Sequence, residues 1–170
     1  MTAGSEIGWA DLQRATAELI GEHGPGSAGW NGEESITRGV NERFMQALRE
    51  HGGKVPGELQ AIPCLILTTI GARTGQPRPV PLAYHEVDGR LLIIASMGGA
   101  RSNPPWYHNL VANPRVIVEK DGRTFEATAV VTDGADRDAL FAQVCAALPA
   151  FAEYQARTAR TIPVIELKPL

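Results

Sequence analysis

The chain has 170 residues, of which 44% are hydrophobic and 21% charged, and its formal net charge is −3. This length and composition predict one soluble domain and exclude a disordered chain. No apolar stretch reaches the roughly 20 residues of a membrane-spanning helix, and the N-terminus has no signal-peptide pattern, so we expect a cytoplasmic protein. The two cysteines cannot build a disulfide framework.

Positive charge is concentrated in the middle of the chain. Residues 71–123 contain seven basic and four acidic residues, a balance of +3, so the rest of the chain carries −6. The overall acidity argues against nucleic-acid binding, whereas the basic middle favours a small anionic ligand. Charges solvated along strand edges would give the same composition, and composition alone does not separate the two interpretations.

The first third of the chain has the pattern of helices. One predicted helix ends at residues 23–26, and a glycine-rich linker follows it, so residues 1–35 are assigned to an N-terminal helical extension. A second predicted helix begins near Ser35, with apolar residues every four positions, and ends at the glycine pair 52–53. Residues 36–170 form the predicted main domain.

Short apolar runs between turn sequences predict β-strands after residue 63. They cover residues 64–70, 78–87, 90–96, 114–119, 124–132 and 164–167. Helices are predicted over residues 104–112, with Asn103 as the N-cap, and over 133–148 and 151–160. Tight turns join strands in antiparallel pairs, because parallel strands need long crossovers. We therefore predict a mainly β fold with flanking helices (α+β), built as a small antiparallel barrel.

The sequence lacks the motifs of several enzyme classes. It has no Gly-x-Ser-x-Gly elbow, no phosphate-binding loop with a Gly-Lys-Ser/Thr end, and no Gly-x-Gly-x-x-Gly after a strand. The four histidines have no i,i+4 partner and no nearby cysteine pair, so no metal site is predicted. If the chain is an enzyme, a bound organic cofactor supplies the difficult chemistry.

A basic turn is the first candidate binding element. Residues 71–78 contain two glycines, a threonine and two arginines, Arg73 and Arg78. Backbone N–H groups and planar guanidinium groups bind phosphate oxygens, and each charge-assisted hydrogen bond contributes about 1.5–3 kcal/mol. The same pattern also fits a hairpin loop whose charges face water.

Three further segments carry residues suited to a flat ligand. Residues 95–100 end a strand in a serine and two glycines, which permits close backbone approach or makes an ordinary turn. Residues 104–114 place Trp106 after two prolines, either against a cofactor ring or in the core, with Asn109 one helical turn along. Residues 151–158 hold an aromatic i,i+3 pair that walls a pocket or packs on the barrel.

Taken in this order, the segments resemble one family. The matching residues run from about Val40 to Pro169, and they include Leu67-Thr68-Thr69, the turn at 71–78, Pro81-Leu82, Ser96-Met97-Gly98-Gly99, Pro105 to Leu110, Ala112 to Val116, Tyr154-Gln155 and Arg160 to Pro163. The chain resembles the deazaflavin-dependent nitroreductases and quinone reductases, which use coenzyme F420. The resemblance implies a split β-barrel of the flavin- and deazaflavin-binding type.

The resemblance also implies which residues bind the deazaflavin. The turn residues Arg73, Thr74 and Arg78 would hold its phosphate and anionic tail, and the strands and the first turn of the short helix would line its ring. The full cofactor-binding set is Ala72, Arg73, Thr74, Arg78, Val80, Pro81, Leu82, Ala83, Tyr84, Ala95, Ser96, Met97, Pro105, Trp106, Tyr107, His108 and Asn109. Ala72 and Met97 stand where the family often has basic residues.

The acceptor side of the site follows from the same resemblance. The residues expected to contact the substrate are Trp106, Phe151 and Tyr154. The expected reaction is hydride transfer from reduced deazaflavin to an electron-poor quinone, nitroaromatic compound or enone. Ser96 or Tyr154 would donate a hydrogen bond to the developing oxyanion, which makes these two the candidate catalytic residues.

Several alternatives stay open at this point. The same barrel could carry an FMN-dependent oxidoreductase, a non-catalytic deazaflavin carrier, or an interaction domain without a cofactor. The acceptor could be a lipid quinone, which would bring the protein to the inner face of the plasma membrane. A homodimer is compatible with the sequence, and no nucleic-acid partner is expected.

Overall fold

The structure is a computed structural model that describes residues 34–54 and 63–170. Its elements in chain order are α1 (Glu34–Glu50), β1 (Cys64–Ile70), β2 (Pro77–Ala83), β3 (His85–Val87), β4 (Arg90–Ile94), a 3₁₀ turn (Met97–Gly99), α2 (Pro105–Ala112), β5 (Arg115–Lys120), β6 (Arg123–Val131), α3 (Gly134–Ala147), α4 (Ala150–Ala156) and β7 (Val164–Pro169). The predicted first helix and glycine-rich linker lie outside the described residues.

The strands form one antiparallel sheet of seven strands in the order β2-β1-β5-β6-β7-β4-β3. The sheet curls until β2 and β4 come into contact, which makes a half-barrel. The prediction of an antiparallel β fold with flanking helices is confirmed. The predicted strand 78–87 is instead two strands, because the chain leaves β1 and pairs next with β4. Tyr84 marks the change, and its N–H donates to the carbonyl of Pro63 at 3.0 Å.

Alternation along β4 separates two hydrophobic clusters. Ile93 points to the inner cluster, inside the half-barrel, and Leu92 and Ile94 point to the outer cluster, beneath α3 and α4. The inner cluster consists of Leu65, Leu67, Tyr84, Ile93, Ala95, Trp106, Leu110, Val116, Val118, Ala127, Ala129, Ile165 and Leu167. The outer cluster consists of Val87, Leu92, Ile94, Leu140, Phe141, Val144, Ile162 and Val164. Each buried Leu or Ile contributes about 1.5–3 kcal/mol to folding.

Helix α1 packs on the opposite face of β1 from the inner cluster. Phe44, Met45 and Leu48 bury their side chains against Ile66. Arg49 Nε fixes the end of the helix by donating to Glu119 Oε1 at 2.8 Å. In residues 34–54 and 63–170, no helix is long and apolar enough to cross a membrane.

Two predictions about the helices need correction. Asn103 is not the N-cap of α2, because Pro104 occupies that position with extended backbone, and the Asn103 side chain instead accepts a hydrogen bond from Arg160. The last helix ends at Ala156 and not at Arg160. After the helix, the side chain of Gln155 donates to the carbonyl of Arg160 and accepts from the N–H of Ile162.

Candidate functional site

The basic turn at residues 71–76 is closed by its own backbone. The N–H of Gly71 donates to the carbonyl of Gln76 at 2.8 Å, and the N–H of Gly75 donates back to the carbonyl of Gly71 at 2.8 Å. Gly75 has φ of +67°, a conformation that favours glycine. The N–H groups of Arg73 and Thr74 donate to no acceptor within residues 34–54 and 63–170. The exposed tip of the turn therefore offers two N–H donors to a ligand.

One arginine of the turn, Arg73, and one just after it, Arg78, have no carboxylate partner in the described part of the chain. Arg73 and Arg78 are exposed and make no ion pair with any residue that the structure describes, and the one side-chain bond of Arg78 goes to Thr74 Oγ1 at 3.4 Å. Elsewhere, Arg49, Arg90 and Arg115 each pair with a carboxylate at 2.7–2.8 Å. The turn thus concentrates positive charge that no carboxylate among residues 34–54 and 63–170 neutralises, next to N–H groups without an acceptor there. This arrangement suits an anion.

Asn109 fastens the turn to α2. Its Oδ1 accepts from the N–H of Ala72 at 3.0 Å, and its Nδ2 donates to Oγ1 of the buried Thr69 at 3.2 Å. The sequence analysis places Asn109 on the cofactor. In the structure its amide already holds the turn against the end of β1, so its immediate effect is to orient Arg73 and its neighbours.

Strand β2 forms one edge of the sheet and contains three alternate prolines. Proline has no backbone N–H to donate to β1. The backbone groups of Pro77, Pro79 and Pro81 must therefore point away from β1, to the free edge of the sheet. At these three positions the edge offers carbonyl acceptors and no donors. The strand also cannot accept another strand in full register, because a proline-rich edge lacks the donors that strand addition needs.

The loop after β4 has an unusual backbone. Met97, Gly98 and Gly99 have φ of +46°, +62° and +82°, so three successive residues are left-handed. A Cβ on Gly99 would lie 2.6 Å from the backbone oxygen of Tyr154. The loop and α4 therefore touch backbone to backbone, and the absence of a side chain at Gly99 is what permits it.

Trp106 lies on α2 and belongs to the inner cluster. Its side chain is 9% exposed and packs with the inner cluster, as the core alternative in the sequence analysis expects. On the same helix Pro105 and His108 are exposed and Tyr107 is half-buried, with its ring 5.6 Å from that of His108.

Phe151 and Tyr154 pack on the other face of β4. Their rings meet edge to face at 5.6 Å, and both pack against the outer cluster. The guanidinium of Arg157 lies 5.8 Å from the Tyr154 ring. The structure thus brings Phe151 and Tyr154 together, whereas Trp106 packs in the other cluster. Ser96 lies just after the end of β4, the strand that separates the two clusters.

The other predicted site residues lie along these elements. Ala72, Arg73, Thr74 and Arg78 are exposed, Val80 to Ala83 and Ser96, Met97 and Asn109 are half-buried, and Tyr84 and Ala95 are buried. Tyr84 is 8% exposed and carries the Nζ of Lys120 over its ring at 4.9 Å.

Comparison with known proteins assigns the family. The family described as F420H(2)-dependent quinone reductase matches residues 41–169. This chain belongs to that family. An F420H(2)-dependent quinone reductase of Mycobacterium tuberculosis (strain ATCC 25618 / H37Rv) is 39% identical over 137 residues, which cover 79% of this chain and 85% of the relative.

Solved structures agree with the family assignment. An F420-H2 dependent reductase, FDR-A, is 37% identical and superposes with a TM-score of 0.57 over 62% of this chain and 94% of its own. A second structure, described as a domain-swapped dimer, is 34% identical with a TM-score of 0.59 over 79% of this chain and 100% of its own. The resemblance stated from the sequence and its split-barrel fold are confirmed.

A cavity of about 540 Å³ opens between α1 and the edge strand β2. It is lined by Glu42, Met45, Gln46, Arg49, Glu50 and Pro79. None of these residues is in the predicted site, although Pro79 lies between two that are.

Sequence analysis overlooked His85. Its Nε2 is buried and has no hydrogen-bond partner, and its ring meets that of Phe151 edge to face at 5.2 Å. Burial lowers the pKa of His85 below its usual 6.5. Alternation from the inward-facing Tyr84 would have placed His85 on the outer side, but the sequence does not show that α4 covers it.

The buried position of His85 predicts a pH-dependent stability. Below about pH 6.5 the unfolded chain binds a proton at this residue that the folded chain resists, so stability falls as pH falls through that value. We expect the midpoint of thermal unfolding to decrease less between about pH 7.5 and about pH 5.5 in His85→Phe than in the unmodified protein. His108→Gln is the matched control, because His108 is exposed. Identical pH profiles for His85→Phe and the unmodified protein would contradict the prediction.

Proposed function

We propose that this protein transfers a hydride from reduced coenzyme F420 to a quinone. The observation that carries the proposal is the basic turn, where Arg73 and Arg78 have no carboxylate partner in the described residues and two backbone N–H groups stand free beside them. Membership in the F420H(2)-dependent quinone reductase family and 39% identity to a mycobacterial enzyme of that name support it.

The residues of the turn fit the anionic part of the cofactor. A phosphate and a carboxylate-bearing tail need forked donors and N–H groups, and Arg73, Arg78 and Thr74 supply these on an exposed surface. Ala72 provides no charge where the family often has a basic residue. The two remaining guanidinium groups therefore carry the electrostatic attraction, and binding should weaken as salt screens them.

The residues beyond the turn fit a flat ring. The free edge of β2 presents carbonyl oxygens at Pro79 and Pro81 that can accept hydrogen bonds from ring N–H and hydroxyl groups. In this proposal the half-buried Ser96 and Met97 bound the ring from the end of β4.

In this proposal the protein positions the two reactants and excludes water. Reduced deazaflavin, when bound, supplies a hydride from a ring carbon and so delivers two electrons together. The turn would hold one end of the cofactor, and the β2 edge and the Ser96 loop would orient its ring toward the acceptor. Tyr154 or Ser96 donates a hydrogen bond to the acceptor oxygen that gains negative charge.

The proposal is tested by mixing the purified protein with reduced coenzyme F420 and following the absorbance of the oxidised form. We expect oxidation that depends on both protein and quinone, with a short-chain quinone, a nitroaromatic compound and an enone compared side by side. A long-tailed quinone in vesicles is a separate arm, which distinguishes a lipid quinone from a water-soluble acceptor. No protein-dependent oxidation with any acceptor would overturn the proposal.

Two other functions give different outcomes in the same assay. A non-catalytic carrier would bind coenzyme F420 tightly and leave the rate of its oxidation unchanged. An FMN-dependent enzyme would bind FMN in a fluorescence-quenching titration in preference to coenzyme F420, and its binding would depend less on Arg73 and Arg78, since FMN lacks the anionic tail.

Tyr154 is the proposed proton donor. Tyr154→Phe keeps the ring that packs against Phe151 and removes the hydroxyl alone. We expect turnover with a quinone to fall about 100-fold, the lower end of what a general acid contributes, while the Kd for coenzyme F420 stays unchanged. Single-turnover rates and a fluorescence titration measure the two quantities separately. Full turnover in this variant would transfer the role to Ser96 or to water.

A further inference from the structure

Arg160 has the most extensive side-chain hydrogen bonding around the loop after β4. Its guanidinium donates to the carbonyls of Ala95 at 3.2 Å, Ser96 at 2.8 Å and Ala100 at 2.8 Å. It also donates to Asn103 Oδ1 at 2.7 Å. All four acceptors belong to the single segment that joins β4 to α2.

The charge of Arg160 is held by carbonyl dipoles and not by a carboxylate. Arg160 makes no ion pair with any residue of 34–54 or 63–170, and burial lowers the pKa of its guanidinium. Five donors in a fixed planar fork can bond all four oxygens at once, whereas a lysine ammonium has three donors. The arrangement therefore uses the shape of the guanidinium as well as its charge.

The backbone of Arg160 is itself held by a hydrogen bond from the side chain of Gln155. Gln155 Nε2 donates to the backbone carbonyl of Arg160 at 2.7 Å, and Gln155 Oε1 accepts from Arg137 Nη2 at 3.1 Å and from the N–H of Ile162 at 3.0 Å. Arg137 is buried and also donates to the carbonyl of Ile162. The chain of contacts runs from α3 through α4 to the loop.

The loop needs external support, because its backbone is unfavourable. Met97 is left-handed without being glycine, and Gly98 and Gly99 continue the left-handed run. Such conformations persist only where the surroundings hold them. Within the loop, only short turn bonds are made, from the N–H of Gly99 to the carbonyl of Ser96 and from that of Ala100 to that of Met97.

We propose that Arg160 is the positioning residue that holds residues 95–103 in the shape of the cofactor ring site. Its guanidinium bonds only to the segment 95–103 among the described residues, and it acts through the carbonyls of Ser96 and its neighbours. This inference rests on the proposed function, since the shape of the loop affects turnover only if the loop lines the cofactor.

The test compares Arg160→Lys with Arg101→Met. Arg101 is exposed on the same loop and makes no hydrogen bond or ion pair in the described part of the chain, so its variant removes a nearby charge without changing the support. In the protein without cofactor, we expect hydrogen exchange at the amides of Gly99 and Ala100 to speed up about 10-fold or more in Arg160→Lys and to stay unchanged in Arg101→Met.

With cofactor, Arg160→Lys is expected to bind coenzyme F420 about 10-fold more weakly and to lower kcat, with the KM for the quinone unchanged. Asn103→Ala removes one of the four acceptors and should show a smaller change of the same kind, which keeps the test available if Arg160→Lys does not fold. Unchanged loop exchange in Arg160→Lys, or equal changes in Arg101→Met, would overturn the inference. If the unmodified protein does not bind coenzyme F420, the proposed function fails, and the exchange rates still decide the role of Arg160.

Discussion

The double variant Arg73→Gln with Arg78→Gln is expected to bind coenzyme F420 about 100-fold more weakly than the unmodified protein. Both guanidinium groups are exposed and lack carboxylate partners in the described residues, so no described carboxylate competes with an anionic ligand for them. Two charge-assisted hydrogen bonds of about 1.5 kcal/mol each account for the change. A fluorescence titration at low and moderate salt measures it.

A matched variant separates charge from geometry at the turn. Arg73→Lys with Arg78→Lys keeps both positive charges and loses the planar forks, so its Kd should lie between those of the other two proteins. The salt dependence should be retained in the lysine variant and largely lost in the glutamine variant. If the glutamine variant binds coenzyme F420 as tightly as the unmodified protein does, the turn is not the anion site.

Gly99→Ala is expected to lower the free energy of unfolding by at least about 2 kcal/mol. The added Cβ would lie 2.6 Å from the backbone oxygen of Tyr154 and 3.0 Å from Cβ of Arg157, and the backbone φ is +82°. Backbone cannot move aside as the end of a flexible side chain can, so the loop or α4 must shift. Urea unfolding measures the change in stability.

Gly89→Ala is the control for backbone strain alone. Gly89 has a similar φ of +76°, and a Cβ there meets nothing within 4 Å. Its variant should lose only the about 1–2 kcal/mol that a left-handed non-glycine residue costs. Equal losses in the two variants would mean that the contact between the loop and α4 contributes nothing.

We also expect Gly99→Ala to slow turnover, because the shift displaces Tyr154 relative to the loop.

The strands were predictable because their chemistry is local. The apolar run of β1, the turn glycines and the Asp88-Gly89 hairpin each determine a conformation over a few residues. The break at Tyr84 was not predictable, since it results from β2 and β3 pairing with different strands. Propensity at residues 78–87 is the same whether one strand or two form.

For the candidate site, the residue types were predictable and their partners were not. Arginines and glycines at residues 71–78 predict an exposed basic turn, which fits an anion site or a hairpin loop whose charges face water. Arg90 binds both Asp136 and Glu166, whereas Arg73 and Arg78 have no carboxylate partner among the residues that the structure describes, and this difference depends on which strands lie side by side. Asn103 illustrates the same limit. Local sequence rules predict that it caps a helix, but its side chain accepts a hydrogen bond from Arg160, 57 positions away.

By itself, the sequence determined the fold class, the family and the basic turn, because alternation, turn chemistry and ordered motifs act over short stretches of chain. Only the tertiary structure decided that Trp106 packs inside the half-barrel while Phe151 and Tyr154 pack outside it, and that Arg160 supports the loop between them. Those contacts join residues far apart in the chain. Their free energy depends on burial and hydrogen bonding that exist only after the sheet has curled.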